Sequence, residues 1–181
     1  LANPHFNDCD WGGEKYENDP RWVYGRPPSG NANYAWLQHI LWKLTHEGRA
    51  GVVLSNASMS TATGGEDKIR QAMIEGGVVG IMVALPTQLF ANVTVPACLW
   101  FLDKNKSHRN DQILFIDARK FGTMIDRAHK KLTDEDISKI ADTVNSWRKG
   151  DGYEDILGFC KSVSIDEIKK NNYILTPGRY V

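Results

Sequence analysis

The sequence predicts an α/β fold in which a sheet is covered on both faces. Three observations carry the prediction. Short continuous apolar runs, such as residues 78–85, read as strands buried on both sides rather than as half-exposed ones. Segments with apolar residues three and four apart alternate with those runs. Two of the runs, 78–85 and 95–102, follow each other with no helix between them, which suits an antiparallel hairpin.

Residues 7–33, "NDCDWGGEKYENDPRWVYGRPPSGNAN", show no period and read as a long loop. A loop of that length is usually functional or a lid, and its Trp11, Trp22 and Tyr24 argue that it packs on something. A helix is expected over 34–48, with Leu37, Ile40, Leu41 and Leu44 on one face and Gly48 as its stop. Residues 50–56 form a short buried strand. Residues 64–77 read as a helix with Ile69, Ala72 and Met73 on its apolar side. Strands follow at 78–86, closed by Pro86, at 95–105 and, after a polar loop at 103–112, at 113–119. The rest is more helical. Thr133 and Asp136 make a capping-box-like start, and Ile137, Ile140, Ala141, Val144 and Trp147 form a stripe that ends near Gly150. Residues 158–164 suggest a short strand, and Ser164 to Glu167 opens a last short helix before an irregular end, "YILTPGRYV".

Composition narrows the function classes. The chain has 181 residues and 41% apolar content, enough for one domain, or one domain with a tail. Lys+Arg and Asp+Glu are both 22, so a basic footprint for gripping nucleic acid alone is lacking. No apolar run approaches the ~18 residues of a membrane span, and no signal-peptide pattern occurs. Cys9, Cys98 and Cys160 lie far apart, which argues against a disulfide framework or a zinc site and fits a reducing cytoplasm. The sequons at Asn56, Asn92 and Asn105 then read as chance matches.

Asn3-Pro4-His5-Phe6, straight after an apolar pair, has a physical use. An adenine amino group is a poor nucleophile because its lone pair is delocalised into the ring. An Asn side-chain oxygen and the carbonyl at a stiff proline turn can accept its N–H bonds and hold the nitrogen nearer tetrahedral. An aromatic two positions later can stack on a base flipped from the duplex. Asn3, Pro4 and Phe6 supply those parts, against the plainer reading of an ordinary strand-to-loop turn. Ligands of α/β sheets do bind at the carboxyl ends of strands.

Around this motif the runs "ANPHFND.DWGGE", "D.RW.YG.PP..NANYAWLQHIL", "LP.QLF.N...P.CLWFL", "LFIDAR", "LTDEDI.KIADT" and "LTPGRYV" cover residues 2–181. They resemble the modification (methyltransferase) subunit of type I restriction–modification systems. The resemblance implies the C-terminal half of a Rossmann-like, S-adenosylmethionine-dependent methyltransferase sheet, with an antiparallel hairpin and a helical C-terminal tail. Residues 1–125 would be the C-terminal part of the catalytic domain. Residues 126–181 would be the tail, a candidate docking region for a specificity subunit, with packing onto its own sheet as the alternative. The implied activity is N6-adenine DNA methylation with S-adenosylmethionine. The implied partners are DNA, the specificity and restriction subunits and a second modification subunit, in a prokaryotic cytoplasm with no membrane. The specificity subunit, not this chain, would read the DNA target.

The resemblance makes Asn3, Pro4 and Phe6 the catalytic group. His5 stands where the family pattern has a second proline, which loosens the turn and adds a titratable ring beside the site. His5, Trp22, Tyr24, Arg26 and Asn33 are the candidate substrate contacts, and Asn33 also suits a helix N-cap. The glycine-rich cofactor loop of the family is missing, and Gly64-Gly65 falls in the wrong half, so the cofactor residues are unknown beyond a nearby Asn3. The chain is therefore expected to be a C-terminal piece, inactive alone, with an exposed apolar edge where further strands belong. Two alternatives stay open: a non-catalytic scaffold subunit, and a protein glutamine methyltransferase, whose Asn-Pro-Pro-Tyr motif solves the same lone-pair problem. The aromatic loop and "LTPGRYV" count against the latter.

The remaining candidates have plain readings. Asp8, Asp10 and Glu14 suggest a metal, but methyl transfer from a sulfonium needs none, and a solvated loop explains them. Cys9 lacks a paired histidine. His39 and His46 lie seven apart on a helix and suit ordinary packing or surface positions. The basic run 127–131 can touch phosphate or simply end a helix.

Overall fold

A computed structural model describes residues 1–90, 95–106, 109 and 111–181. The sequon at Asn92 and the 91–94 part of the quoted motif run lie outside the described residues. The elements in chain order are α1 (Asn33–Lys43), β1 (Arg49–Ser55), α2 (Glu66–Glu75), β2 (Val79–Ala84), β3 (Ala97–Asp103), β4 (Gln112–Asp117), β5 (Thr123–Met124), β6 (Lys130–Lys131), α3 (Asp134–Lys149), β7 (Cys160–Ser164) and α4 (Ile165–Lys170).

The main sheet has five strands in the order β1-β3-β2-β4-β7. The expected hairpin is present: β2 and β3 pair antiparallel, Met82 opposite Trp100. β3 also pairs antiparallel with β1, so β1, β2 and β4 all run in one direction. β7 joins β4 antiparallel and brings part of the C-terminal stretch into the same sheet. Every residue of β2 is buried, as its unbroken apolar run requires.

The two faces are covered differently. On one, Leu37 and Leu41 of α1, Met73 and Ile74 of α2 and Ile168 of α4 pack on Val52, Leu54, Met82, Trp100 and Phe115. The irregular end packs there too: Leu175 and Tyr180 are buried in that core, and the Tyr180 ring stacks on Phe115 at 4.3 Å. Arg70, 1% exposed, clamps this end by donating from Nε to the Tyr173 carbonyl at 2.8 Å and from Nη1 to the Thr61 carbonyl at 2.7 Å. On the other face α3 is the one helix on the sheet among the described residues, with Val144 and Trp147 over Ile81, Leu114 and Ile116. α3 starts on the expected capping box of Thr133 and Asp136.

Covering is incomplete at the β1 end of this second face. Leu1, Gly51, Val53, Leu99 and Phe101 line an open apolar patch there. Beside it Ala2 pairs parallel with Val52, donating its N–H to the Gly51 carbonyl at 2.9 Å and accepting from Val53 N–H at 3.0 Å. What lies open is thus apolar sheet face and not the expected strand edge, because Ala2 takes the β1 edge opposite Val52, and the sheet is covered on both faces only in part.

Three local expectations are corrected. α1 ends at Lys43, not at Gly48, because Leu44 turns extended (ψ 143°) and Gly48 closes a separate turn on the Thr45 carbonyl. Asn33 is the first residue of α1, not its N-cap, a position Ala32 holds without a side-chain bond. The basic run 127–131 ends no helix. Asp126 accepts backbone N–H bonds from Ala128 and His129 (2.7 and 2.8 Å), turning the chain so that Lys130–Lys131 pairs with Thr123–Met124.

Candidate functional site

Asn3, Pro4, His5 and Phe6 leave the sheet at the carboxyl end of the paired segment at Ala2, the end at which ligands of such sheets bind. Asn3 and His5 are exposed, and Pro4 and Phe6 are half-buried. Phe6 packs against the α3-side core. The Asn3 amide oxygen is open to a donor, and the proline fixes the turn that presents it.

The next residue locks the motif in place. Asn7 has a left-handed backbone (φ 53°), a conformation that asparagine tolerates better than most residues. Its N–H donates to Asn33 Oδ1 at 3.1 Å, and its Oδ1 accepts from Asn33 Nδ2 at 2.8 Å. The Ser55 hydroxyl, at the end of β1, donates to the same Oδ1 at 3.0 Å. Asn33 itself is 1% exposed. Its N–H donates to Asn31 Oδ1 at 2.9 Å, and Ala32 N–H donates to the Asp8 carbonyl at 2.9 Å. One asparagine pair therefore ties the motif to the start of α1 and the end of β1.

The loop that follows is folded around an arginine. Arg21 grips Asp19 in a fork, Nε to Oδ1 at 2.7 Å and Nη2 to Oδ2 at 2.6 Å. Its guanidinium lies 5.1 Å from the Trp22 ring centre and 5.6 Å from that of Tyr16. These bonds pull the Asp19 carboxyl down to about 2. Arg21 Nη1 donates to His39 Nδ1 at 2.7 Å, which requires a neutral acceptor nitrogen. Burial, then the charges of Arg21 and Lys43, hold His39 below the usual histidine range. Trp11, Tyr16, Arg21, Trp22, Trp36 and His39 line a cleft of about 200 Å³ against α1.

The sequence-predicted contacts are therefore dispersed. Asn33 is brought to the motif, but as a buried support of Asn7. Trp22 belongs to the aromatic cleft and donates from Nε1 to the Tyr16 carbonyl at 2.6 Å. Tyr24 sits against Gly76 at the end of α2, where a Cβ would fall 2.7 Å from its ring, and burial pushes its phenol up. Arg26 pairs with Glu17 at 2.6 Å on the surface. Sequence reasoning did not select Asn7, Ser55, Asp19 or Arg21. The one available signal was Asn7 itself, a residue suited to positive φ directly after a stiff turn. Among the described residues no group of three or more His, Cys, Asp and Glu could hold a metal ion. No helix is long and apolar enough to cross a membrane, among the described residues.

Comparison with known proteins bears on this geometry. The profile described as N-6 DNA methylase matches residues 1–181. The chain is 54% identical to the type I restriction enzyme HindI methylase subunit of Haemophilus influenzae over its whole length, which is 41% of that relative. It is 42% identical to the type I restriction enzyme MjaIX methylase subunit of Methanocaldococcus jannaschii, again along the whole chain and 34% of the relative. Among solved structures, the type I restriction-modification system methyltransferase subunit from Streptococcus thermophilus superposes with a TM-score of 0.87 at 30% identity, over 99% of this chain and 36% of that one. The chain thus spans about two-fifths or less of these relatives' length.

Proposed function

Since the chain belongs to the N-6 DNA methylase family, we propose that it is the amino-group-presenting part of an adenine-N6 DNA methyltransferase of a type I restriction–modification complex. The observation that carries the proposal is the exposed Asn3 at a strand's carboxyl end, held by the Asn7–Asn33 pair. The Asn3 oxygen and the backbone carbonyl of Pro4 accept the N–H bonds of a flipped adenine. Both bonds draw the amino nitrogen towards tetrahedral and free its lone pair. Phe6 gives the base a stacking face. Trp22 and Arg26 are the loop residues proposed to meet the duplex.

When bound, S-adenosylmethionine supplies an electrophilic methyl group on a sulfonium. The residues present fit only its reacting end. Asn3 lies beside the open apolar patch of Leu1, Val53, Leu99 and Phe101, and no cradle for an adenosine is formed among the described residues. The remaining length of the longer protein is proposed to supply that cradle, so this chain is proposed to be inactive alone. DNA, a specificity subunit, a restriction subunit and a second modification subunit are the proposed partners, in a prokaryotic cytoplasm.

His5 favours a second reading, a scaffold subunit without catalysis, because it replaces a stiff proline with a flexible residue at the site. Calorimetric titration with S-adenosylmethionine separates the readings. Binding by the full-length polypeptide and not by the 181-residue chain is expected. Binding by neither supports the scaffold, and binding by the short chain would mean that the cofactor site lies inside it.

A further inference from the structure

A second polar site lies at the opposite end of the sheet from Asn3. It is a cleft of about 50 Å³ among Arg49, Gly80, Asp103, Lys106, Arg109 and Arg148. β1 separates the two ends: Arg49 opens the strand at the cleft, and Ser55 closes it at Asn7. Seven strand residues span about 20 Å. A base seated at Asn3 therefore does not account for this cleft.

Its charges do not balance. Among the described residues Asp103 is the only acid lining it, and both its oxygens are engaged, Oδ2 by Arg49 Nε at 2.8 Å and Oδ1 by Asn105 N–H at 3.0 Å. Lys106 is 7% exposed, and its ammonium donates to the carbonyls of Val79 (2.7 Å) and Gln112 (3.1 Å). An ammonium has three protons, so among the described residues one donor remains. Arg109 lies over the Trp147 ring and gives Nη1 to Gln112 Oε1 at 3.1 Å. Arg148 is half-buried over Phe101 at 6.0 Å and makes no hydrogen bond or ion pair among the described residues. Burial, and then the Arg49 charge, hold its guanidinium below the usual value. The floor is kept open by a β-bulge between Val79 and Ile81, with Gly80 in it. A Cβ there would fall 3.4 Å from the Phe101 carbonyl and 3.8 Å from the Lys106 stem.

We propose that this cleft binds one phosphate group, either free phosphate or the end of a phosphate monoester, between Arg148, Arg109 and the spare Lys106 proton. A planar guanidinium with open donors matches a phosphate's paired oxygens.

The test is calorimetric titration of the full-length polypeptide in a chloride buffer with inorganic phosphate and, separately, with ribose 5-phosphate. The expected result is one saturable site for at least one of them, weakened about tenfold or more by Arg148→Gln and unchanged by the surface variant Lys68→Gln. Tighter binding of the ester would identify a phosphate ester as the source, and equal or tighter binding of phosphate the free ion. If Arg148→Gln does not fold, Arg148→Lys decides: it keeps the charge, loses the fork, and is expected to bind severalfold more weakly. Absence of saturable binding of either anion, or an Arg148 variant that folds and binds as the parent does, would overturn the proposal.

Discussion

Asn33→Ala isolates the support of the motif from the motif itself. The substitution removes the bond from Asn7 N–H and the bond to Asn7 Oδ1, at 3.1 and 2.8 Å. Two neutral hydrogen bonds contribute about 2 kcal/mol together. Asn7 then holds its left-handed backbone with Ser55 as its remaining side-chain partner. If that loss falls on the productive placement of Asn3, methyl transfer drops about 30-fold. Global stability should fall by no more than the same 2 kcal/mol or so, because Leu37 and Leu41 still anchor α1. The assay is single-turnover transfer of a labelled methyl group to an adenine-containing duplex by the full-length protein with the proposed specificity subunit, beside a urea unfolding curve. Asn33→Asp is the sharper probe. It keeps the acceptor for Asn7 N–H but turns a carboxylate towards Asn7 Oδ1, so it should be at least as slow. Asn33→Ala transferring methyl within twofold of the parent, with the fold intact, would refute the lock.

Three further outcomes are expected. Glu66 is 1% exposed with Oε1 unpartnered, and burial raises its carboxyl to about 7. The folded state therefore binds this proton more tightly than the unfolded one. The stability it contributes is complete below about pH 4.5 and is lost as pH rises towards 7, by about 3 kcal/mol; Glu66→Gln should flatten that slope in urea titrations, and parallel slopes would count against it. Cys9 is exposed, whereas Cys98 and Cys160 are buried, with the Cys98 thiol pushed up to about 12 by burial. A disulfide reagent should thus titrate one thiol per native chain and three after denaturation, and three fast native thiols would contradict the packing. His5→Pro should raise the methyl-transfer rate about two- to fivefold by stiffening the turn, and a tenfold loss would show that the His5 ring has a positive role.

Much of the fold was legible because burial wrote it into the apolar runs. β2 and β3 read as strands from unbroken apolar residues, and the short link between them gave their antiparallel pairing. α3 read from its stripe and its capping box. What was not legible was tertiary. α1 stops early because Leu44 leaves the helix to pack on the core, an effect that periodicity cannot register. The strand pair at 123–131 depends on Asp126 turning the chain, not on any apolar pattern. At the site, Asn3, Pro4 and Phe6 were visible because their chemistry is local to four residues. The Asn7–Asn33 pair was not, because its members lie 26 residues apart and only the fold brings them together. Tyr24 looked like a contact because it is aromatic and near Trp22 in sequence, but its ring serves the end of α2.

Asn3 is proposed to present an adenine amino group for methylation. The most direct test of that role is mass-spectrometric detection of N6-methyladenine in duplex DNA incubated with S-adenosylmethionine, the proposed specificity subunit and either the full-length protein or its Asn3→Ala variant. N6-methyladenine is expected with the parent and at least a hundredfold less, on the order of 3 kcal/mol of barrier, with Asn3→Ala while cofactor binding persists. N6-methyladenine formed by Asn3→Ala at a rate within a few fold of the parent would contradict it.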